Sequence, residues 1–75
     1  MLLAELKRGQ SALVKALKCD GELKTRLLSM GLGQGEKVTV LSKSSGGATV
    51  EVMLFSGRLA LRNGEAKAIE VEKVA

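Results

Sequence analysis

The 75-residue sequence contains no histidine, proline, tryptophan or tyrosine, and it has one cysteine and one phenylalanine. Histidine is the usual base near neutral pH and a common metal ligand, so its absence removes the most frequent catalytic arrangements. Cys19 has no second cysteine for a disulfide, which is typical of a reducing compartment. Without a neighbouring base, Cys19 is predicted to be a small, half-buried residue before a helix. We therefore expect no enzymatic activity and no bound cofactor.

The scarcity of aromatic residues and of long apolar runs narrows the binding functions. Proline-rich peptides and single-stranded nucleic acids are bound on aromatic side chains, and Phe55 alone cannot form such a surface. Together with Met53, Phe55 is expected to pack in a core or lid. No run reaches the roughly 20 apolar residues that cross a bilayer, and Glu5 interrupts the start of the chain where a signal peptide would continue. The sequence therefore predicts a soluble, cytoplasmic protein.

Charge is the clearest compositional bias, with 12 basic and 8 acidic residues giving a net charge of +4. The basic residues are spread along the whole chain, whereas a dedicated nucleic-acid binder more often concentrates them on one element. A small basic barrel that binds nucleic acid is an alternative consistent with this charge. Any metal site would need oxygen ligands, and Glu70 and Glu72 on one strand face offer at most half of one. We expect no intrinsic metal site.

Apolar periodicity and glycines divide the chain into short elements. Alternation of apolar and polar residues predicts strands, and apolar residues three or four apart predict a helix. The strands are predicted at 10–17, 37–42, 49–55, 58–62 and 68–72, the helix at 22–30 and short helical turns at 3–6 and 65–67. In the first strand, Ala12, Val14 and Ala16 are expected to face inward. The turn Leu3–Leu6 is expected to form a lid, and Ser56–Gly57 the turn of a hairpin.

The predicted helix carries its own start and stop signals. Asp20 is a suitable N-cap, and Glu22 with Arg26 has the spacing of a favourable ion pair. Gly31 supplies the left-handed residue that ends the helix. The apolar stripe consists of Leu23, Leu27, Leu28 and Met30. Two apolar turns are marginal alone in water, so the helix is expected to pack on the sheet.

Five short strands, with too little chain for a sandwich, predict a mainly β fold. Closure into a small, strongly bent five-stranded barrel of the SH3-like or OB-like type would remove exposed edges. The helix would lie between strands 1 and 2. Because the sequence has no proline, repeat or low-complexity tract, residues 1–75 are expected to form one domain. An edge strand left open could pair with another copy, so a homo-oligomer is possible.

The order and spacing of several segments resemble those of the ferrous iron transport protein A family (FeoA). The resemblance spans nearly the whole chain and includes Met30–Leu32 at the exit of the helix. The matching segments are Leu3–Gln10, Leu23–Gly35, Val38 with Val40, Leu59–Arg62 and Ala66–Val71. The central loop differs, because Ser44–Ala48 stands where many members carry a proline and a Gly-Asp-Pro segment.

The resemblance implies an SH3-like barrel and a cytoplasmic accessory protein of ferrous iron uptake. Such a protein docks on, and modulates, the membrane Fe(II) transporter that carries a G-protein domain (FeoB), and the family is also described as binding transition metals. The positions expected to contact the partner are the helix, its exit and two rim arginines: Arg26, Met30, Leu32, Gln34, Arg58 and Arg62. Similar barrels occur as C-terminal modules of metal-dependent repressors, so a free-standing regulatory module is a further alternative.

Overall fold

The computed structural model describes residues 1–74, which form short strands and helices joined by tight turns. The strands are β1 (Ser11–Leu17), β2 (Lys37–Lys43), β3 (Thr49–Leu54), β4 (Gly57–Arg62) and β5 (Ile69–Lys73). The α-helices are α1 (Gly21–Ser29) and α2 (Asn63–Ala66), and short 3₁₀ helices lie at Leu3–Glu5 and Ser45–Gly47. The predicted elements are present, with ends shifted by a residue or two.

The strands form one antiparallel sheet in the order β4-β3-β2-β1-β5. The mainly β prediction is confirmed, but the expectation of a closed barrel is wrong because β4 and β5 do not pair with each other. The N-terminal segment occupies the outer edge of β5 instead. The Val71 N–H donates to the Met1 carbonyl at 2.8 Å, and Leu2 bridges to Glu70. These bonds use backbone groups that closure onto β4 would need.

One face of the sheet, the N-terminal turn and α1 enclose an aliphatic core. Val38, Val40, Val50 and Val52 point into it, as strand alternation predicts. The segment Leu3–Leu6 contributes two fully buried leucines, so this turn fills the core itself and is more than the predicted lid. The other buried apolar residues are Ala12, Val14, Leu27, Leu32, Leu54, Leu61, Ala66, Ile69 and Val71.

β1 changes its inward face part-way along. Ala12 and Val14 are buried as predicted, but Ala16 is exposed and Leu17 packs against the core. The pairing of β1 with β5 shifts between Val14 and Ala16, which marks a β-bulge. A bulge adds one residue to one strand and so reverses which of the later side chains face inward. The prediction that Ala16 faces inward is wrong for this reason.

α1 packs on the sheet through a narrower stripe than predicted. Leu27 is fully buried, and Leu23 and Met30 are partly buried against the core. Leu28 is 47% exposed and lies outside this contact. α1 has nine residues, and no helix within residues 1–74 is long and apolar enough to cross a membrane.

The predicted polar contacts of α1 differ from those observed. Asp20 occupies the N-cap position, but its side chain makes no hydrogen bond to the helix. Arg26 forms its ion pair with Glu65 and not with Glu22. Glu65 is a nearly buried carboxylate that needs a cationic or hydrogen-bonding partner, whereas Glu22 is solvated. The contact over longer sequence distance therefore replaces the local one.

A surface ion pair joins the end of β1 to β5. Lys18 Nζ lies 2.8 Å from Glu70 Oε1, and the Lys18 N–H donates to the Ala68 carbonyl. The hydrogen bond from Lys18, together with its positive charge, lowers the pKa of Glu70 below the ordinary value of 4.5. Because the folded pKa is the lower one, the pair contributes stability above the unfolded pKa. That contribution is lost as the pH falls through the folded pKa.

We expect Lys18→Gln to return the pKa of Glu70 to near its ordinary value, because both the hydrogen bond and the charge are removed. NMR titration of the Glu70 carboxyl carbon measures this shift. Lys15→Gln is the matched control, since Lys15 has the smallest effect on this carboxyl group. If Lys18→Gln left the Glu70 titration unchanged, the ion pair would not form in solution.

Leu27 and Leu28 are adjacent in α1 but differ in burial, which gives a matched pair of substitutions. Leu27→Ala opens a cavity and should lower the free energy of unfolding by about 2–5 kcal/mol. Leu28→Ala should lower it by less than about 1 kcal/mol, because nearly half of that side chain is already in water. Urea unfolding followed by far-UV circular dichroism measures both values. Equal losses would contradict the orientation of α1 on the sheet.

Candidate functional site

The outward face of β4 carries two arginines. Side chains alternate along a strand, so Arg58, Ala60 and Arg62 project outward and are exposed. Leu59 and Leu61 project inward, where Leu61 is fully buried and Leu59 is partly buried. Neither outward guanidinium forms an ion pair with another residue of 1–74. The three outward side chains, called the β4 face below, therefore present unneutralised positive charge.

The tip of the β3–β4 hairpin exposes the aromatic ring. Leu54 pairs with Gly57, so the turn consists of Phe55 and Ser56, and the predicted turn at Ser56–Gly57 is wrong by one residue. Gly57 has a φ of 132°, which non-glycine residues rarely adopt, and this favours the observed register. Phe55 is 99% exposed and Met53 is 37% exposed. The expectation that Phe55 packs in a core or lid is wrong, because the turn carries the ring into solvent.

Glu65 joins the end of β4 to α1. It lies in α2, and its side chain is only 11% exposed. One carboxylate oxygen accepts a hydrogen bond from the Arg62 N–H at 2.9 Å, and the other accepts one from the Arg26 guanidinium. A carboxylate at the third position of a helix commonly satisfies a free backbone N–H in this way. Arg26 is therefore linked through Glu65 to the C-terminal end of β4.

The chain leaving α1 lies over the hairpin turn. Gly31 has a φ of 94° and ends the helix as predicted. A Cβ at this position would lie 3.5 Å from Ser56 Oγ, so the two turns are close neighbours. Met30 is half-buried against the core, and Leu32 is fully buried. Leu32 supports the surface from beneath and is not available for direct contact with a partner.

Gln34 lies on the opposite flank of α1. It lines a surface depression together with Lys24 and Leu28. Those two residues are two positions before and after Arg26, which places them about 200° away around the helix. The structure thus links Arg26 through Glu65 to the Arg62 end of β4, and it places Gln34 on the other flank of the helix.

The exposed guanidinium groups and the exposed ring of Phe55 have the chemistry of groups that contact a macromolecule. Within residues 1–74, no group of three or more histidine, cysteine, aspartate or glutamate side chains could hold a metal ion. A surface depression along α1 is lined by Glu22, Leu23, Thr25, Arg26 and Ser29. Guanidinium groups bind carboxylates through paired hydrogen bonds, and an exposed aromatic ring can bury apolar area in a partner.

Sequence reasoning missed two residues of this region, Glu65 and the free ring of Phe55. A signal for Glu65 is present, because it follows Arg62 by three residues at the start of a helical turn. For Phe55, the signal is Gly57, since a glycine at positive φ can directly follow a two-residue turn. Both signals depend on where a strand ends, which the alternation pattern leaves uncertain by one residue.

A family model described as the FeoA domain matches residues 1–73 of the chain. The chain belongs to the FeoA family. This confirms the resemblance noted in the sequence, and it places the chain in a family of ferrous iron transport.

Three FeoA relatives illustrate the match. Fe(2+) transport protein A of Campylobacter jejuni is 40% identical over 74 residues, which is 99% of this chain and 100% of the relative. FeoA of Chlorobium tepidum superposes with a TM-score of 0.92 at 35% identity, covering 100% of this chain and 71% of that one. FeoA of Stenotrophomonas maltophilia, complexed with zinc and described as a prokaryotic SH3 domain protein, gives 0.84 at 33% identity, covering 96% and 89%. The SH3-like prediction is confirmed.

Substitutions at Glu65 test the junction between α1 and the end of β4, which consists of the Glu65 contacts with Arg26 and with the Arg62 N–H. Glu65→Ala removes the acceptor for the Arg62 N–H and the partner of Arg26, and should lower the free energy of unfolding by about 1–3 kcal/mol. Glu65→Gln keeps one acceptor oxygen, which can serve the Arg62 N–H, but it loses the ion pair with the largely exposed Arg26, so its loss should be smaller than that of Glu65→Ala. Urea unfolding measures both variants. Indistinguishable stabilities for the alanine variant and the unsubstituted chain would rule out this junction.

Proposed function

We propose that this chain is a non-catalytic, cytoplasmic accessory protein of ferrous iron uptake. In this proposal it docks on the cytoplasmic part of the membrane Fe(II) transporter, an FeoB-like protein with a G-protein domain, and modulates it. Membership of the FeoA family supports the role in iron transport. The observation that carries the docking step is the joint exposure of Arg58, Arg62 and Phe55 on one hairpin, with Arg26 tied through Glu65 to the Arg62 end of β4.

The two kinds of side chain have separate tasks in docking. Phe55 is the apolar anchor, because an aromatic ring that moves from water into a pocket contributes strongly to affinity. Arg58 and Arg62 attract acidic groups and orient the approach, since rim charges act mainly on association rate and specificity. The net charge of +4 adds to the same attraction. None of these groups supplies a base or a nucleophile, so the proposal assigns no reaction to the chain.

Charge reversal on the β4 face tests the proposal. The double variant Arg58→Glu/Arg62→Glu should reduce capture of the transporter's cytoplasmic domain by at least about tenfold, because like charges then face each other. Capture is measured by co-purification at physiological salt and by titration with the purified domain. Far-UV circular dichroism and thermal unfolding of the variant show whether the fold is kept.

The matched control is Lys15→Glu/Lys24→Glu, which makes the same change in net charge beside Gln34, on the opposite flank of α1. This variant should retain capture. If both double variants lose it equally, net charge and not the β4 face governs docking. If the unsubstituted chain is not captured at all, the proposed function is wrong.

A further inference from the structure

β4 is an edge strand whose outward backbone groups have no partner within residues 1–74. The Asn63 N–H donates to the Ala48 carbonyl at 2.9 Å, which fixes the alternation of hydrogen-bonded pairs along the β3–β4 ladder. Leu59 and Leu61 lie four and two residues before Asn63. Because alternate residues of a strand direct their backbone groups to the same side, the N–H and C=O groups of Leu59 and Leu61 also point towards β3. Those of Arg58 and Ala60 point away from the sheet. No other described segment hydrogen-bonds to them.

The two edge strands of the sheet differ in how their outer backbone groups are hydrogen-bonded. The outer edge of β5 is covered by the N-terminal segment through Met1 and Leu2. On β4, Glu65 satisfies only the N–H of Arg62 at the end of the strand. The N–H and C=O groups of Arg58 and Ala60 therefore remain free of partners from residues 1–74 at this edge, next to the β4 face. Open edges are the places where a further strand can be added.

A second copy of this chain is a poor occupant of the edge. Antiparallel pairing of two β4 strands about a twofold axis at Ala60 would set Arg58 of each copy opposite Arg62 of the other. Like charges directly opposite each other destabilise a strand pair. The two arginines instead favour a strand that carries carboxylates at the facing positions.

We propose that β4 accepts an extended acidic segment of the docking partner as a sixth strand. The inference rests on the proposed function, whose partner would supply the segment. Acidic residues at positions i and i+4 of the segment would face Arg58 and Arg62, and a small residue at i+2 would face Ala60. Apolar residues at i+1 and i+3 would lie on the inner side and cover the exposed part of Leu59. Main-chain bonds supply affinity, and the arginines supply selection for acidic sequences.

Ala60→Pro tests the edge directly, because it removes the outward N–H of Ala60 and leaves the bonds between β3 and β4 in place. Proline is tolerated on an edge strand where its N–H would face solvent. Ala60→Val is the matched control, since it changes the side chain and keeps the N–H. The probe is the peptide acetyl-Glu-Val-Thr-Val-Glu-amide, titrated into the ¹⁵N-labelled chain at low salt. Its lysine counterpart, acetyl-Lys-Val-Thr-Val-Lys-amide, is the charge control.

We expect the acidic peptide to shift the amide signals of Arg58 and Ala60 and to slow their hydrogen exchange. Ala60→Pro should weaken binding by at least about tenfold, as expected for a lost main-chain hydrogen bond that leaves a peptide carbonyl unpaired. Ala60→Val should change it by less than about threefold. If Ala60→Pro does not fold, a peptide methylated on the nitrogen of its central threonine must show the same weakening against the unsubstituted chain.

Three results would overturn the inference: no binding of the acidic peptide, equal binding of the lysine peptide, or equal binding by the proline variant. Sedimentation showing a dimer that Ala60→Pro dissociates would identify a second copy as the occupant and would also overturn it. Capture of the transporter's cytoplasmic domain separates this inference from the proposed function. Equal capture by the unsubstituted chain and by Ala60→Pro leaves docking intact and removes the edge from it.

Discussion

The structure depends on one aliphatic core that the valine-rich face of the sheet shares with the elements packed on it. Leu27 of α1 and Leu32, in the segment after the helix, bury their side chains in this core, and neither the helix nor the sheet would be stable alone. A nine-residue helix is marginal in water, and isolated hairpins gain little from their own hydrogen bonds. Leu3 and Leu6 complete the same cluster from the N-terminal turn. The strands, the helices and the terminal turn of residues 1–74 thus contribute to one hydrophobic cluster.

The burial of Leu27 in the core also fixes which side chains α1 presents on each of its two flanks. Arg26 on one flank reaches Glu65 at the end of β4, whereas Lys24 and Leu28 on the other flank lie beside Gln34. A rotated helix would carry Arg26 away from Glu65 and so from the end of β4.

The sequence allowed most of the fold to be predicted, and each error arises from a feature that strand alternation does not encode. Alternation located β3 and its inward valines because that strand has no irregularity. The same rule failed at Ala16, where a bulge changes the register, and at the hairpin, where the turn begins one residue earlier. The ion pair between Arg26 and Glu65 joins residues 39 positions apart, so no local pattern indicates it. A closed barrel was expected because closure leaves no exposed edge strand. In the structure, the N-terminal segment covers the outer edge of β5, and β5 does not pair with β4.

The placement of Phe55 has a spectroscopic consequence. The chain has no other aromatic residue, and its buried hydrophobic cluster consists of aliphatic side chains. Near-ultraviolet dichroism, commonly used to judge interior order, is therefore silent on this interior, and methyl resonances are the appropriate probe. The weak phenylalanine band reports instead on a solvent-facing ring. In a complex that shields the ring, a change in this band would report association.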